Sequence, residues 1–444
     1  MKRLASLRAG FWIPAGFSLL LCVVALRQVA DWSMEGYAAA FAGLMALYGY
    51  AGFCVIKGKF HAAGKERSAL AAILAVAVLM RAIALFAPQA LSTDVFRYVW
   101  DGRVQAAHIN PYRFIPADPA LAPLRDESIY PNINRADYAH TIYPPTAQLA
   151  FLAIERVSDS VLGMKLGLVG FEAVVIACLI ALLRGRGLPV TRVLLYAWHP
   201  LPIWEFAGSG HVDVIAIACL LLAFLAASRR APIWTGVALA AATLVKYYPI
   251  IAAPSLYRRW DWRMPVAFAV TVLLLYAPYL GAGTSVFGFA SGYLTEEGLR
   301  DGSGIWMLSL LNKLWHLPND PLLLFVPLIA ALLIGMGLWI LFSASRAKVA
   351  PTENVALVAG AFTLCVSPHD PWYFTWLVPF LCFRVSAPLL WLTAACTLMY
   401  VVPQPTGLGA QSLIYIPFLG MVVLQAILRR STPPLEIFDA PPSA

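Results

Sequence analysis

The sequence is dominated by a succession of long apolar runs: about 11–29, 37–56, 69–87, 161–183, 190–206, 211–228, 264–280, 321–343, 353–367, 372–383, 387–402 and 411–428. A broken pair occupies about 232–257. A helix needs roughly 20 apolar residues to cross a bilayer, so about 11–13 crossings use up nearly all of the chain. The expected fold is all-α, a polytopic transmembrane helical domain over residues 1–430. No stretch is left for a folded soluble domain. Only 12% of the 444 residues are charged and 61% are hydrophobic; a soluble domain carries about twice that charged share. This excludes a water-soluble enzyme, a disordered chain and an ordinary nucleic-acid binder. Membrane lipids, and no nucleic acid, are the expected surroundings.

The net charge of +9 is distributed with a pattern. Basic clusters flank the runs at Lys2, Arg3 and Arg8; Lys57, Lys59, Lys65 and Arg67; Arg184, Arg186 and Arg192; Arg229 and Arg230; Arg258, Arg259 and Arg263; Arg346 and Lys348; Arg384; and Arg429 and Arg430. One threading puts them all on a single face, which the positive-inside rule makes cytoplasmic. Both termini then lie inside, with a Pro-rich cytoplasmic tail at 431–444. The two long connections, 88–144 and 281–320, fall on the opposite face. The first run is long, contains Pro14 and lacks a small-residue cleavage site before Asp31, so it reads as a retained helix. The excess of Arg over Lys and the abundance of Ala point to a bacterial inner membrane.

Several chemistries leave no trace. The seven cysteines all sit inside apolar runs without a Cys-x-x-Cys pair, and read as core residues. There is no Gly-x-Gly-x-x-Gly, no Walker-type loop and no Asp-x-Asp. No cofactor and no metal are expected.

Residues 88–144 are too polar to span and too aromatic for a solvated linker. Asp94 to Ala107 has helical spacing, and Asn110-Pro111 ends it. Tyr112, Phe114, Tyr130, Tyr138 and Tyr143 suit an interface wet on one side and greasy on the other. Short amphipathic helices along the outer membrane surface are expected, with a pocket beneath them. After Tyr143-Pro144-Pro145, the stretch 146–157 is too short to cross and reads as a helix dipping in beside that pocket. His199-Pro200-Leu201-Pro202 and Lys246-Tyr247-Tyr248-Pro249 break two further runs, which is tolerated where protein or a cavity satisfies the freed backbone.

Charges in or beside the spans are functional candidates by default. They are Arg81, Asp94, Asp101, Arg156, Lys165, Glu172, Lys246, Glu205, His211, Asp213, His369 and Asp370. Asp94, in Ser92-Thr93-Asp94, suits an N-cap of the following helix and equally a general base at the bilayer boundary. Arg97, Asp101 and Arg103 read either as an ion-pair network on that helix or as part of the site. His211 and Asp213, beside Gly208 and Gly210, fit capping or binding, and no third metal ligand is visible near them. Lys246 suits pairing with a buried acid or binding an anionic headgroup. Glu296, Glu297, Arg300 and Asp301 form either a solvated face or a lid.

The string from Ser92 to Tyr112 (STDVFRYVWDGRVQAAHINPY) resembles the first outer loop of GT-C membrane glycosyltransferases. More narrowly, it is similar to bacterial mannosyltransferases that use polyprenyl-phosphate-mannose. Tyr143-Pro144-Pro145, Gly210-His211-Val212-Asp213, Lys246 through Pro249, and His369 with Pro371-Trp372-Tyr373 fit in the same order, over about residues 70–400. Asp370 departs from the pattern, since the relatives run His-Pro-Trp-Tyr directly.

The resemblance implies an inverting transfer of a sugar, mannose by the resemblance alone, from a polyprenyl-phosphate carrier to a lipid or glycan acceptor. Asp94 would be the base. Lys246 and His369, with Arg81 a weaker candidate, would contact the lipid phosphate. His211 and Asp213 would line the sugar or acceptor pocket, with Arg97, Asp101, Tyr143, Trp372 and Tyr373 also at the substrate. The residues support this independently, because loops facing away from the cytoplasm need a membrane-soluble sugar carrier. The rival reading is a transporter or lipid flippase using Asp94 and Lys246 as a relay.

Overall fold

The computed structural model describes residues 9–60, 64–315, 322–343, 351–402 and 408–431. Lys2, Arg3, Arg8, Arg346, Lys348 and the tail beyond Ser431 lie outside the described residues. Among those described, every regular element is helical. The long helices are α1 (Ala9–Ala30), α2 (Met34–Ile56), α3 (Glu66–Ala84), and, after the polar α4 (Asp94–Ala106) and the short α5 (Pro145–Glu155), α6 (Val161–Gly185). They are followed by α7 (Asp213–Ser228), α8 (Pro232–Thr243), α9 (Arg263–Tyr276), the short α10 (Ala290–Glu296) and α11 (Trp306–Trp315). The chain ends with α12 (Leu322–Ser343), α13 (Pro351–Val366), α14 (Ala387–Ala395) and α15 (Gly409–Ser431).

Among the described residues, seven helices are long and apolar enough to cross a membrane, and four more apolar helices run only 10–17 residues. The expected 11–13 full-length runs are thus partly replaced by broken ones. Run 190–206 breaks into short helical pieces around Pro200 and Pro202, ending in a π-helical turn at Ile203–Gly208. Run 372–383 is a 3₁₀ helix, Pro371–Leu377, followed by one α-turn. Proline removes a backbone donor and clashes with the preceding turn, so these runs kink where it stands.

The freed backbone groups find protein partners. At the second break α8 stops at Thr243, well before Pro249, and Lys246 lies in the gap and not on the helix. The Leu244 carbonyl at that end accepts from Thr146 N at 3.0 Å and Ala147 N at 3.4 Å, the first amides of α5. The dipping helix therefore caps the broken one.

Two contacts hold neighbouring helices together, one between α4 and α5 and one between α3 and α6. Gly102 of α4 lies against α5 so closely that a Cβ would sit 2.8 Å from the Phe151 carbonyl oxygen. Arg81 of α3 and Glu172 of α6, both buried, form an ion pair with Arg81 Nε 2.8 Å from Glu172 Oε2. The Arg81 guanidinium also donates to the Ala77 and Ala197 carbonyls at 3.0 and 2.8 Å. Removing one partner of such a pair strands a buried charge, typically at about 3–5 kcal/mol, whereas replacing both with apolar side chains is often neutral. Arg81→Leu should therefore lower the thermal unfolding midpoint of the detergent-solubilised protein sharply. Arg81→Leu with Glu172→Leu should restore most of it; a double variant no better than the single one would refute this account of the pair.

Candidate active site

The site lies where the first long connection, the second long connection and the turn after α13 meet at one end of the bundle. Asp94 opens α4, but its carboxylate does not cap that helix. The N-cap residue is Thr93, which makes no side-chain cap bond. Asp94 Oδ1 instead accepts from Asn134 Nδ2 at 2.7 Å, and Oδ2 from the Tyr143 hydroxyl at 3.4 Å. Of its two sequence readings, the local cap is the one the geometry does not support. Helix α4 closes through His108, at φ +60°, just before Asn110-Pro111.

Arg97 and Asp101 form a buried pair at 2.9 Å, one turn along α4. Asp101 Oδ2 also accepts from Thr141 Oγ1 and from Gln148 Nε2 at 2.9 Å, while Arg97 donates to the Ala139 carbonyl at 3.2 Å. Their free valences are thus directed at segment 139–148, which they fasten to α4. Tyr143 is held further by Tyr112, whose hydroxyl donates to its carbonyl at 2.7 Å.

On the opposite wall Gly210, at φ +80°, turns the chain into α7. A Cβ there would meet Lys165 and Val95 at 3.1 Å, so the glycine admits close approach of α4 and α6 rather than of a ligand. His211 is buried and stacks on Trp372 at 4.0 Å, with Nε2 3.5 Å from Glu205 Oε2. Among the described residues no partner meets hydrogen-bond geometry at either ring nitrogen, at the carboxylate oxygens of buried Asp213 or at the hydroxyl of Tyr248, although Tyr248 and Lys246 both adjoin the Asp213 carboxylate. Lys246 Nζ reaches Asp213 at 3.6 Å, beyond hydrogen-bond length, and lies 4.6 Å from the Tyr373 ring centroid. Asp94 and Asp370 are also within its electrostatic reach. Arg81 is not part of this group, because its donors are taken by Glu172 and backbone carbonyls.

His369 faces acceptors on both sides. Nδ1 lies 3.2 Å from Glu297 Oε2, and Nε2 lies 2.8 Å from the Gly304 carbonyl. Two acceptors require two N–H groups, so the ring is an imidazolium. The hydrogen bond to Glu297 raises its pKa above the ordinary value, against the opposing effect of burial. Burial works against ionisation of Glu297, but His369 outweighs it and holds that carboxyl below its usual range. Burial, followed by the charges of Glu297 and Asp94, pushes Asp370 up to about 7. Beside these lies a cavity of about 150 Å³, lined in part by Phe362, Val366, Trp376, Tyr373 and Leu299. Among the described residues no group of three His, Cys, Asp or Glu is placed to hold a metal ion.

The chain matches the sequence model of Glycosyltransferase family 87 over residues 141–368, just over half its length. The chain belongs to glycosyltransferase family 87. It is thus a membrane glycosyltransferase of GT-C type. No curated protein and no solved structure matches it. The family 87 match contains Tyr143, His211, Asp213 and Lys246, begins after Asp94, Arg97 and Asp101, and stops one residue before His369.

Sequence reasoning passed over two residues that this site uses, Asn134 and Tyr98, and named two others, Glu205 and Glu297, without a partner. Asn134 gave no signal, lying in a polar stretch without periodicity. Tyr98 accepts from the Val212 backbone amide, tying α4 to the His211 turn, yet reads as one more apolar-face residue. Glu205 accepts from the Tyr400 hydroxyl at 3.0 Å and stands behind His211; its place within an apolar run was its only signal. Glu297 reads in the sequence with Glu296, Arg300 and Asp301 as part of a solvated face or a lid, with no partner assigned.

The Glu297–His369 pair carries a pH signature. Arg135 and Tyr293 also face Glu297, and Asp370 and Glu297 face His369. With the His369 pKa raised, the pair is fully present below the free-histidine value and lost as pH rises through the raised one. With the Glu297 pKa lowered, it is lost again only in acid, as pH falls through that lowered value. Amide exchange of residues 296–305, corrected for intrinsic rates, should be slowest at about pH 6, below the ordinary histidine value. It should accelerate toward alkaline pH, and His369→Gln should flatten that alkaline limb. A limb unchanged in the variant would show that His369 does not hold the segment.

Proposed function

We propose that this family 87 glycosyltransferase transfers a sugar, mannose in the first instance, from a polyprenyl-phosphate carrier to a lipid or glycan hydroxyl, with inversion and on the non-cytoplasmic face. The observation that carries the reading is that Asp94 and Lys246 lie within electrostatic reach of one another. The carboxylate is presented by Asn134 and Tyr143, and among the described residues the nearest acceptor to the ammonium is Asp213 at 3.6 Å. One group would supply a base, and the other a cation for a departing anion.

In the reaction Asp94 takes the proton of the acceptor hydroxyl. That oxygen bonds to the anomeric carbon as the bond to the phosphate oxygen breaks on the opposite side, leaving the lipid phosphate with the electron pair. Lys246 neutralises it. His369 is less suited to that task, since both its N–H groups are taken by Glu297 and Gly304. The ring nitrogens of His211, the carboxylate of Asp213 and the hydroxyl of Tyr248, none held by a well-formed hydrogen bond among the described residues, match the hydroxyls of a sugar, which both donate and accept. Trp372, stacked on His211, presents an apolar ring beside them. The basic clusters and the threading support the non-cytoplasmic placement, where a nucleotide sugar is scarce.

General-base and electrostatic contributions of this kind are each worth about 10²–10⁴-fold. Asp94→Asn should reduce transfer from polyprenyl-phosphate-mannose by about that factor with normal expression and thermal stability, and Lys246→Met should reduce it similarly while also lowering stability, because it strands the buried Asp213 carboxylate. Mass spectrometry of envelope lipids and glycans from a deletion strain should show a product short by one sugar. Full transfer by Asp94→Asn would remove the base, and a product lacking a different hexose would replace mannose.

A further inference from the structure

The segment from Gly288 to Gly304 lines the cavity through Tyr293, Glu297 and Leu299, and its apolar contacts are those of Leu299 with the Ile305 and Phe325 cluster and of Phe289 with the Tyr138 ring. No residue of its helix, α10, is buried. Two adjacent acids hold it to opposite walls. Glu296 binds Arg135 Nε at 2.5 Å and the Tyr138 hydroxyl at 3.0 Å, on the Asp94 side. Glu297 binds the His369 imidazolium on the other side, and the hydroxyls of Tyr293 and Tyr373 meet between them. At the near end Gly288, at φ +57°, runs so close to the Thr141 carbonyl that a Cβ would sit 1.8 Å from its oxygen. Gly298 and Gly302 also adopt positive φ. A segment held by polar pairs at its middle and glycines along its length can lift without opening a hydrophobic core.

Arg135 is the residue after Asn134, and Asn134 is the side chain that holds Asp94 at 2.7 Å. We propose that residues 288–304 form a two-latch lid whose Glu296–Arg135 latch places Asn134 against Asp94, so that the base is positioned only when the lid is down. Asn134, Arg135 and Glu296 are then positioning residues for the transfer; Asp94 alone of this set touches the acceptor. The proposal rests on Asp94 as the base, but the latch itself does not. Closure that completes the site also keeps water from the anomeric carbon.

The test uses the full chain in nanodiscs, with hydrogen exchange of 288–304 read beside turnover of radiolabelled polyprenyl-phosphate-mannose with extracted membrane lipids as acceptor. Glu296→Gln and Arg135→Gln should each speed lid exchange about tenfold, the worth of a charge-assisted hydrogen bond, and the double variant should add little. Both should lower kcat with KM for the donor changed less. Asn134→Ala should lower kcat by a similar factor with the lid still protected, because it lies between the latch and the base. Arg135→Lys should recover part of both readouts. Unchanged lid exchange in Glu296→Gln and Arg135→Gln would overturn the latch. A lifted lid with full kcat, or full kcat in Asn134→Ala, would overturn the coupling to Asp94. Retained transfer by Asp94→Asn would instead remove the base and leave the exchange result standing.

Discussion

Asp101 is the knot on which the polar end of the molecule depends. Its carboxylate pairs with Arg97 within α4 and reaches across to Thr141 and Gln148, so a single buried group gathers a helix, a loop and the start of α5. Gln148 passes the connection to Gln105 at 2.8 Å, and Tyr279 closes it by donating to Gln105 Oε1 at 2.9 Å. Buried polar networks are costly when incomplete and rigid when complete. This one fixes Tyr143, and with it one of the two partners of Asp94. It also fixes Thr141, the backbone against which Gly288 lies. Without the knot the Asp94 carboxylate loses one of its two partners, and the second connection has no wall to rest on.

The same rule, that no backbone or charged group goes unpartnered inside the bilayer, accounts for the broken helices. A helix that stops in mid-membrane exposes its last carbonyls. Here the exposed end of α8 is met by the first amides of α5, and Lys165 Nζ donates to the Leu85 and Ala87 carbonyls beyond α3 at 2.8 and 3.0 Å. The breaks therefore do not weaken the bundle. They lower Lys246 and the His211 turn into a pocket that uninterrupted helices would fill with side chains.

Much of this architecture was legible in the sequence, because helix period and proline act locally. Helix α4 begins at Asp94, where the spacing placed it, and α5 is the short dipping helix expected after Pro144-Pro145. What failed was decided at long range. Nothing in Leu244-Val245-Lys246 stops a helix; α8 ends there because Thr146 and Ala147, a hundred residues earlier, supply its cap. The capping potential of Asp94 is genuine, but Asn134, forty residues on, outcompetes it. The acids at 296 and 297 could not be divided between solvated face and lid, since only the folded chain shows Arg135 and His369 opposite them. Local signals predict elements, and partners distant in the chain determine what their ends do.

On the proposed mechanism, the uneven use of charge in the site follows from what each part must do. A base has to be fixed before the acceptor arrives, and Asp94 is held by two neutral partners, Asn134 and Tyr143. The cation for the leaving phosphate has to be available, so Lys246 stands at arm's length from Asp213 over an aromatic face, paired enough to remain in the membrane and loosely enough to exchange partners. A cover has to open for two substrates and exclude water between those events, so its grip comes from a few charge pairs at the rim. Buried apolar contacts would hold it more firmly and release it too slowly. The three demands differ, and each is met by a different depth of burial around one pocket.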